Sequence, residues 1–409
     1  MAKVYLVGGA VRDELLGKKI HERDWVVVGS TPEELLAQGY RQVGASFPVF
    51  LHPDTGEEFA LARTERKQGH GYHGFSVDFD AGVTLEQDLA RRDLTINAMA
   101  RDEQGTLIDP FDGRNDLRQG VLRHVSDAFS EDPLRVLRVA RFAARYRELG
   151  FTIHPSTLRL MTGMVGSGEI EYLVPERVWA EFEKALSTSK PATFIEVLRN
   201  CGALAVLLPE VDSLFGVPQP EQHHPEIDTG IHVMMTMNLA ASMGCSARVV
   251  FALLLHDLGK ALTPEARLPS HIGHEKSGVP LVRDVCERLR VPGAYASLAL
   301  VVCELHLRCH RLLEARPATV LKLIEDADLL RRPERMDDFL LACEADYRGR
   351  KGLEDRSYPQ AGRLRMALEA ALAVRASAVP TAGLEGSQIG EKIREARISA
   401  IGDALNPAN

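Results

Sequence analysis

Two carboxylates, Glu22 and Asp24, stand two residues apart in HERDWVVVG. Side chains alternate along an extended strand, so this spacing puts both on one face and Arg23 on the other. Adjacent oxygen donors suit Mg²⁺. Two such ions can activate an attacking hydroxyl and stabilise a leaving pyrophosphate. An isolated Glu-x-Asp is more often a solvated strand edge. Here, however, Gly8-Gly9 lies a short way upstream, between a strand-like run (KVYLV) and a helical one. Glycine lets a backbone approach a ligand closely, and a helix N-terminus offers free N–H groups to phosphate. Arg12 follows in the first turn as a natural triphosphate clamp.

A second group is basic. Arg135, Arg138, Arg141 and Arg145 recur at spacings of 3, 3 and 4, which on a helix makes one stripe. A solvated helix face is the bland explanation. Against it, the run carries no interleaved acid, so the arginines repel one another unless an anion sits among them. Asp132 and Arg135, three apart, are expected on the same face. Cytosine shows an amino donor beside a ring acceptor, and so does adenine; uracil and guanine show the reverse. An Asp acceptor next to an Arg donor therefore fits C and A and opposes U and G.

A third group is rich in imidazole. His256-Asp257 ends an apolar helical run (Val249–Leu255) and precedes Leu-Gly-Lys. A His-Asp pair alone is commonplace. But His232 lies one helix earlier, His271 and His274 follow in PSHIGH, and Asp346 lies in CEADYRGR. Imidazole and carboxylate at dispersed helical positions suit a divalent transition metal such as Ni²⁺, Mn²⁺ or Co²⁺. His306 and His310 are read as auxiliary or ordinary surface and substrate-side residues, and His223-His224 as part of a linker.

The elements that position these groups change along the chain. Strand signals sit at 3–7, 24–28, 49–51 and 58–62, with a helix at 32–38 opened by Pro32 behind Thr31. From about 128 helical periodicity takes over, as in 131–147, 176–187, 192–199 and 365–375. Strands first and helices later imply an α+β head followed by an all-α body. The stretch 65–83, rich in Gly, His and Tyr, reads as a mobile loop; 208–230 carries boundary signals; GDALNPAN reads as a frayed end. With 409 residues the chain needs more than one core. No apolar run reaches the length of a membrane span. Six cysteines without a C-x-x-C pair argue against structural zinc or a disulfide framework, and for a reducing cytoplasm. A net charge of −8 excludes a generally basic nucleic-acid binder and leaves a local basic stripe as the available RNA surface.

Gly8-Gly9-Ala10-Val11-Arg12-Asp13 followed by Glu22-Arg23-Asp24 resembles the head of the polymerase-β-like nucleotidyltransferases. Arg91-Arg92-Asp93-Leu94-Thr95-Ile96-Asn97-Ala98 resembles the second motif of class II CCA-adding enzymes and bacterial poly(A) polymerases, and Glu131 to Phe142 resembles their nucleotide-selecting helix. The H…HD…D arrangement resembles the HD phosphohydrolases. Together these resemble the bacterial CCA-adding enzymes that carry an HD domain, over essentially the whole chain. The resemblance implies a nucleotidyltransferase head with a mixed sheet and helices (1–127), a helical body for nucleotide selection and tRNA binding (128–222), an all-α HD domain (223–350) and a helical tail (351–409).

It implies that Gly8, Gly9, Arg12, Arg92, Arg138 and Arg141 hold the nucleotide and that Asp132 and Arg135 form the protein template. Glu22 and Asp24 would bind Mg²⁺, and Glu58 takes the place of a third acidic residue. His232, His256, Asp257 and Asp346 would be the ligands of the HD metal, Ni²⁺ or another transition ion. The implied partners are tRNA, ATP and CTP, with no membrane, for a monomer or homodimer. The implied activity is addition of C, C and A to tRNA, with phosphatase and 2′,3′-cyclic phosphodiesterase chemistry at the second site. Glu22 departs from the usual Asp; it keeps the charge, and its extra methylene can change metal geometry. Two alternatives stay open: a poly(A) polymerase, and an HD phosphohydrolase whose head only binds tRNA.

Overall fold

The computed structural model describes residues 2–20, 22–43, 49–67, 75–78, 81–379 and 385–406. The chain divides into two compact units, residues 1–185 with 193–207 and residues 186–192 with 208–409.

The strands, all in the first unit, are β1 (Lys3–Val7), β2 (Asp24–Val28), β3 (Arg41–Val43), β4 (Val49–Leu51), β5 (Glu58–Leu61), β6 (Thr64–Lys67), β7 (Phe75–Asp78), β8 (Ala100–Arg101), β9 (Leu107–Ile108), β10 (Val121–Leu122) and β11 (Thr152–Ile153). Seven of the described strands form a mixed sheet in the order β3-β4-β5-β2-β1-β8-β9. The β2–β5 pairing is parallel and its neighbours are antiparallel. Alternation along β2 sends Val26 to a core with Val7, Leu89, Ala98 and Ala100. It sends Val27 to the opposite core with Leu35, Phe50, Phe59 and Leu61. Both faces are thus covered, as a mixed sheet needs.

The helices of this unit are α1 (Gly9–Leu15), α2 (Pro32–Ala37), α3 (Leu85–Ala90), α4 (Gly113–Gln119), α5 (Leu134–Tyr146), α6 (Pro155–Gly166), α7 (Pro175–Leu186), α8 (Ala192–Asn200) and α9 (Ala203–Leu207). A capping box opens α2, where the Thr31 side chain accepts from the Glu34 backbone N–H behind Pro32. Helix α5 starts three residues later than its periodicity suggests. Asp132 is extended, with φ −113° and ψ 107°, because Pro133 disfavours helical backbone in the residue before it. The expected loop at 65–83 is also corrected: Thr64–Lys67 pairs with Phe75–Asp78 as an antiparallel ribbon, while 68–74 and 79–80 lie outside the described residues.

The second unit is helical. Its helices are α10 (Pro209–Asp212), α11 (Thr229–Ser242), α12 (Ala247–Leu255), α13 (His274–Arg288), α14 (Gly293–His310), α15 (Pro317–Asp326), α16 (Arg335–Arg348), α17 (Gln360–Ala373) and α18 (Gly386–Leu405). Helix α12 is buried along its length from Val249 to Leu255 and packs against α11, α14 and α16. That centre carries the histidines. The end of the chain is not all frayed: Gly402–Leu405 continue α18, and Ile401 and Leu405 are buried. Among the described residues no helix is long and apolar enough to cross a membrane.

Candidate functional site

In the first unit a cleft of about 580 Å³ opens where β1 meets α1. Gly8 makes the turn with φ +68°, a conformation that favours glycine, and a Cβ there would meet Arg92 Nη1 at 2.8 Å. Arg92 is held by the buried Asp88, at 3.2 Å, while its Nε is buried without a hydrogen-bond partner among the described residues. Arg12 is buried, donates to Asn97 Oδ1 at 2.5 Å and Asp13 Oδ1 at 2.8 Å, and lies over the Phe142 ring.

Glu22, Asp24 and Glu58 all line this cleft. Asp24 opens β2, and the parallel register places Glu58 of β5 opposite it. Arg23 pairs instead with Glu57, at 3.5 Å. Burial raises the Asp24 carboxyl above its usual value, Arg92 draws it down, and the nearby charge of Glu22 pushes it up again. Crowded carboxylates of this kind are a donor set a hard divalent cation fits.

The arginine stripe is not a solvated face, since Arg135 and Arg141 are buried. Nor does it lack acids, as its local sequence suggested; they arrive from other elements. Asp93 Oδ2 accepts from Arg138 Nε at 2.7 Å, Glu181 Oε2 from Arg141 Nε at 2.5 Å, and Asp13 Oδ2 lies 3.3 Å from Arg145 Nη2. Burial alone would raise Asp93, but Arg138 and the Asn97 amide hold it well below the carboxylate range. Even so, nine arginines and five carboxylates line the cleft among the described residues, an excess that suits a polyphosphate.

Asp132 sits before α5 rather than on it, and both it and Arg135 face the cleft. Asp132 Oδ1 accepts from the Leu134 N–H at 3.0 Å, and Oδ2 accepts from Arg177 Nη2 at 2.9 Å. Arg135 donates from Nη1 to Ala128 O and from Nη2 to Arg91 O, each at 2.6 Å. Arg177 and Glu181 were not singled out in the sequence. Their i, i+4 spacing on α7 was the available signal, since it puts both on one face.

In the second unit His232, His256, Asp257 and Asp346 converge. His232 Nε2 lies 3.0 Å from Asp346 Oδ1 and 3.9 Å from Asp257 Oδ2. His256 Nε2 lies 3.1 Å from Asp257 Oδ2 and 3.5 Å from Asp346 Oδ1. His256 Nδ1 donates to Leu253 O at 2.7 Å when it carries the proton, which turns Nε2 toward the carboxylates. Burial opposes the His256 cation, yet Asp257 and Asp346 outweigh it and lift the group to about 10. A metal ion takes the place of such a proton. His256 Nε2 and both Asp257 oxygens are buried and make no well-aligned hydrogen bond among the described residues, although Lys260 Nζ lies 2.6 Å from Asp257 Oδ2; imidazole and carboxylate donors so gathered suit a divalent metal ion.

More groups join than the sequence reading carried over. His274 Nε2 and His306 Nε2 lie 3.2 and 3.8 Å from Asp257 Oδ1, so Asp257, His274 and His306 form a second triad of potential ligands. His306 is buried, not on the surface, and burial pushes it down to about 3. His310 contacts Asp346 Oδ2 at 2.7 Å. His224 is no linker residue: its ring packs on His232, and Glu226 Oε1 lies 3.0 Å from both. His274 comes this close because Gly259, two residues beyond the His-Asp pair, carries no side chain; a Cβ there would stand 2.0 Å from His274 O.

The two units thus define a class: an arginine-lined cleft in a head on a mixed sheet with a helical body, followed by an all-α unit with a buried histidine–carboxylate cluster that could hold a metal ion. Family models match accordingly. Residues 4–123 match the poly A polymerase head domain, 150–215 the probable RNA and SrmB-binding site of polymerase A, and 229–332 the HD domain. The Multifunctional CCA protein of Thioalkalivibrio sulfidiphilus is 60% identical over 399 residues, 98% of each chain. That of Vibrio parahaemolyticus is 56% identical, over 99% of this chain and 100% of its own. The chain belongs to the multifunctional CCA protein family. The same fold occurs in a CCA-adding enzyme in its apo form (TM-score 0.67, 20% identity, 98% of this chain and 88% of the other). It also occurs in the Thermotoga maritima CCA-adding enzyme complexed with tRNA (TM-score 0.61, 20% identity, 100% of this chain and 92% of the other).

Proposed function

We propose that this chain adds C, C and A to the 3′ end of tRNA from CTP and ATP, releasing pyrophosphate, and hydrolyses phosphate esters at its second site. The observation that carries the first activity is the meeting in one cleft of the Gly8-Gly9 turn, the three carboxylates and the Asp132/Arg135 pair. Relatives named for CCA addition support it. So do structures of CCA-adding enzymes with ATP and with CTP.

Glu22 and Asp24, with Glu58 beside them, would hold Mg²⁺, which supplies Lewis-acid stabilisation to phosphoryl transfer. Arg12, Arg92, Arg138 and Arg141 offer N–H donors to the triphosphate, with Gly8 and Gly9 giving it close approach to the backbone. Each Asp132 oxygen accepts one hydrogen bond and has a second lone pair, and Arg135 lines the same cleft, which supports reading of a base edge by the pair. Asp acceptor and Arg donor match the amino and ring-nitrogen pattern shared by C and A. A 1–127 head, 128–222 body, 223–350 HD domain and 351–409 tail remain our division of labour.

At the HD site His232, His256, Asp257 and Asp346 would bind Ni²⁺ or another divalent transition ion, which polarises a phosphoryl oxygen. Phosphomonoesters and 2′,3′-cyclic phosphodiesters are the substrates, as suits repair of tRNA ends. All six cysteines are unpaired, in keeping with a reducing cytoplasm.

The deciding experiment incubates the protein with tRNA lacking CCA and each labelled NTP in turn. Ordered incorporation of CTP then ATP that stops after the third nucleotide is expected. Long adenylate runs on unstructured RNA would replace this reading with a poly(A) polymerase. No incorporation at all, with hydrolysis intact, would leave only an HD phosphohydrolase with a binding head.

A further inference from the structure

A cleft of about 550 Å³ in the second unit opens beside the histidine–carboxylate centre. His224, His274 and His310 form its inner wall, and these are the residues that touch Glu226, Asp257 and Asp346. A ligand seated on this inner wall would lie beside the histidine–carboxylate cluster.

The outer wall carries four cations, Lys260, Arg308, Arg311 and Arg350, against one carboxylate, Glu275, and the cations differ in how they are engaged. Lys260 is committed inward, with Nζ 2.6 Å from Asp257 Oδ2 and 2.5 Å from Gln219 Oε1. Arg308 is paired with Asp326. Arg311 and Arg350 form no ion pair among the described residues, and both line the cleft. Arg350 donates from Nη1 to His223 O at 3.2 Å and its Nε is buried without a hydrogen-bond partner among the described residues. Its guanidinium lies over the Tyr347 ring, 5.6 Å from the centroid, which fixes its direction. Backbone contacts anchor this corner, since Lys351 N reaches Glu226 Oε2 at 3.4 Å.

Two guanidiniums without ion-pair partners among the described residues, lining one cleft beside the histidine–carboxylate cluster, offer an anion a binding place. Guanidinium geometry fits phosphate oxygens in pairs. We propose that Arg311 and Arg350 are the phosphate-recognition residues of the HD site, holding the phosphoryl group of a phosphomonoester or cyclic phosphodiester against the metal centre. This rests on the hydrolase reading above. The two are positioning residues that neither bind the ion nor transfer protons, so their loss falls on substrate affinity.

The test uses the full chain loaded with Ni²⁺. Hydrolysis of a 2′,3′-cyclic nucleotide is followed for wild type, Arg311→Ala, Arg350→Ala and Arg350→Lys, with bound nickel measured in each. Arg331→Ala, at an exposed residue outside the cleft lining, is the control. Loss of a charged hydrogen bond predicts a KM about tenfold or more higher for each Ala variant, with kcat and nickel content near wild type and partial rescue by Lys. Calorimetric titration of inorganic phosphate should show the same weakening without turnover. Unchanged KM and phosphate affinity in both Ala variants overturns the proposal. Lost nickel in the Ala variants also overturns it, because the arginines would then be supporting the metal site. A wild type that binds phosphate through these arginines but hydrolyses nothing sinks the hydrolase reading and leaves the anion site standing.

Discussion

Replacing Asp93 with Asn probes how the head holds its nucleotide clamp. Asp93 is 5% exposed and accepts from the Leu94 N–H at 2.8 Å, Asn97 Nδ2 at 2.9 Å and Arg138 Nε at 2.7 Å. Asn keeps the volume but removes the charge, and its amide group cannot serve every donor that now converges there. Losing a charged hydrogen bond while leaving a partner half-satisfied costs about 2–3 kcal/mol; the value sits below that of a fully buried broken pair because Arg138 is 36% exposed. For a unit of this size that is a drop of about 5–10 °C in Tm.

The difference should depend on pH in a set direction. The folded carboxyl lies below its ordinary 3.8, so its contribution is complete above that value and fades as pH falls through and below it. Denaturant titrations of wild type and Asp93→Asn should therefore stand apart at pH 7 and draw together towards pH 3. In assays Arg138 loses its anchor, so KM should rise for CTP and ATP alike, with selectivity over UTP and GTP unchanged. Equal stability at pH 7, or a gap that widens in acid, refutes the reasoning. A selective loss of one nucleotide would instead make Asp93 part of base recognition.

Asp132→Ala or Arg135→Ala should relax discrimination against UTP and GTP by about 1–3 kcal/mol per lost contact, read as competing kcat/KM values; full selectivity in both variants removes the template assignment. Glu22→Ala and Asp24→Ala should each nearly abolish nucleotidyl transfer while cyclic-phosphate hydrolysis persists, and Glu22→Asp should stay active. Normal CCA addition by Asp24→Ala would take the metal mechanism away from this cleft. His256→Ala and Asp257→Ala should lose hydrolysis and bound transition metal but keep CCA addition, with Mg²⁺ serving transfer and Ni²⁺, Mn²⁺ or Co²⁺ serving hydrolysis. Unchanged hydrolysis across all metals defeats the HD assignment. Loss of CCA addition in a folded variant defeats the separation of sites.

What was legible in the sequence was what local spacing encodes. Alternation marked β1, β2 and the common side of Glu22 and Asp24, because a strand repeats every two residues. Helical periodicity marked α7, α8 and α12, and the Pro32 and Thr31 pair announced α2 through its capping chemistry. Motif order supplied the resemblance that pointed to residues the structure brings together, His232, His256, Asp257 and Asp346 in one cluster and Gly8 to Arg141 around one cleft. The start of α5 was misjudged although its cause, Pro133, was in view: the apolar and basic periodicity runs on past the residue where proline stops the helix.

The tertiary structure alone decided which charges meet. The arginines of α5 looked unneutralised because their acids lie far off in the chain, Asp13 on α1, Asp93 after α3 and Glu181 on α7. Asp132 finds Arg177, 45 residues away, and Glu58 stands opposite Asp24 only through a parallel strand register. His274 and His306 reach Asp257 because α14 packs on α12 while α13 packs on α14 and on residues 258–262 just after α12, where Gly259 leaves room. Periodicity within a segment states which face a residue occupies, but a partner is chosen by how that face docks on another element. That docking is the summed outcome of core packing across the whole unit, so no short stretch of sequence carries it.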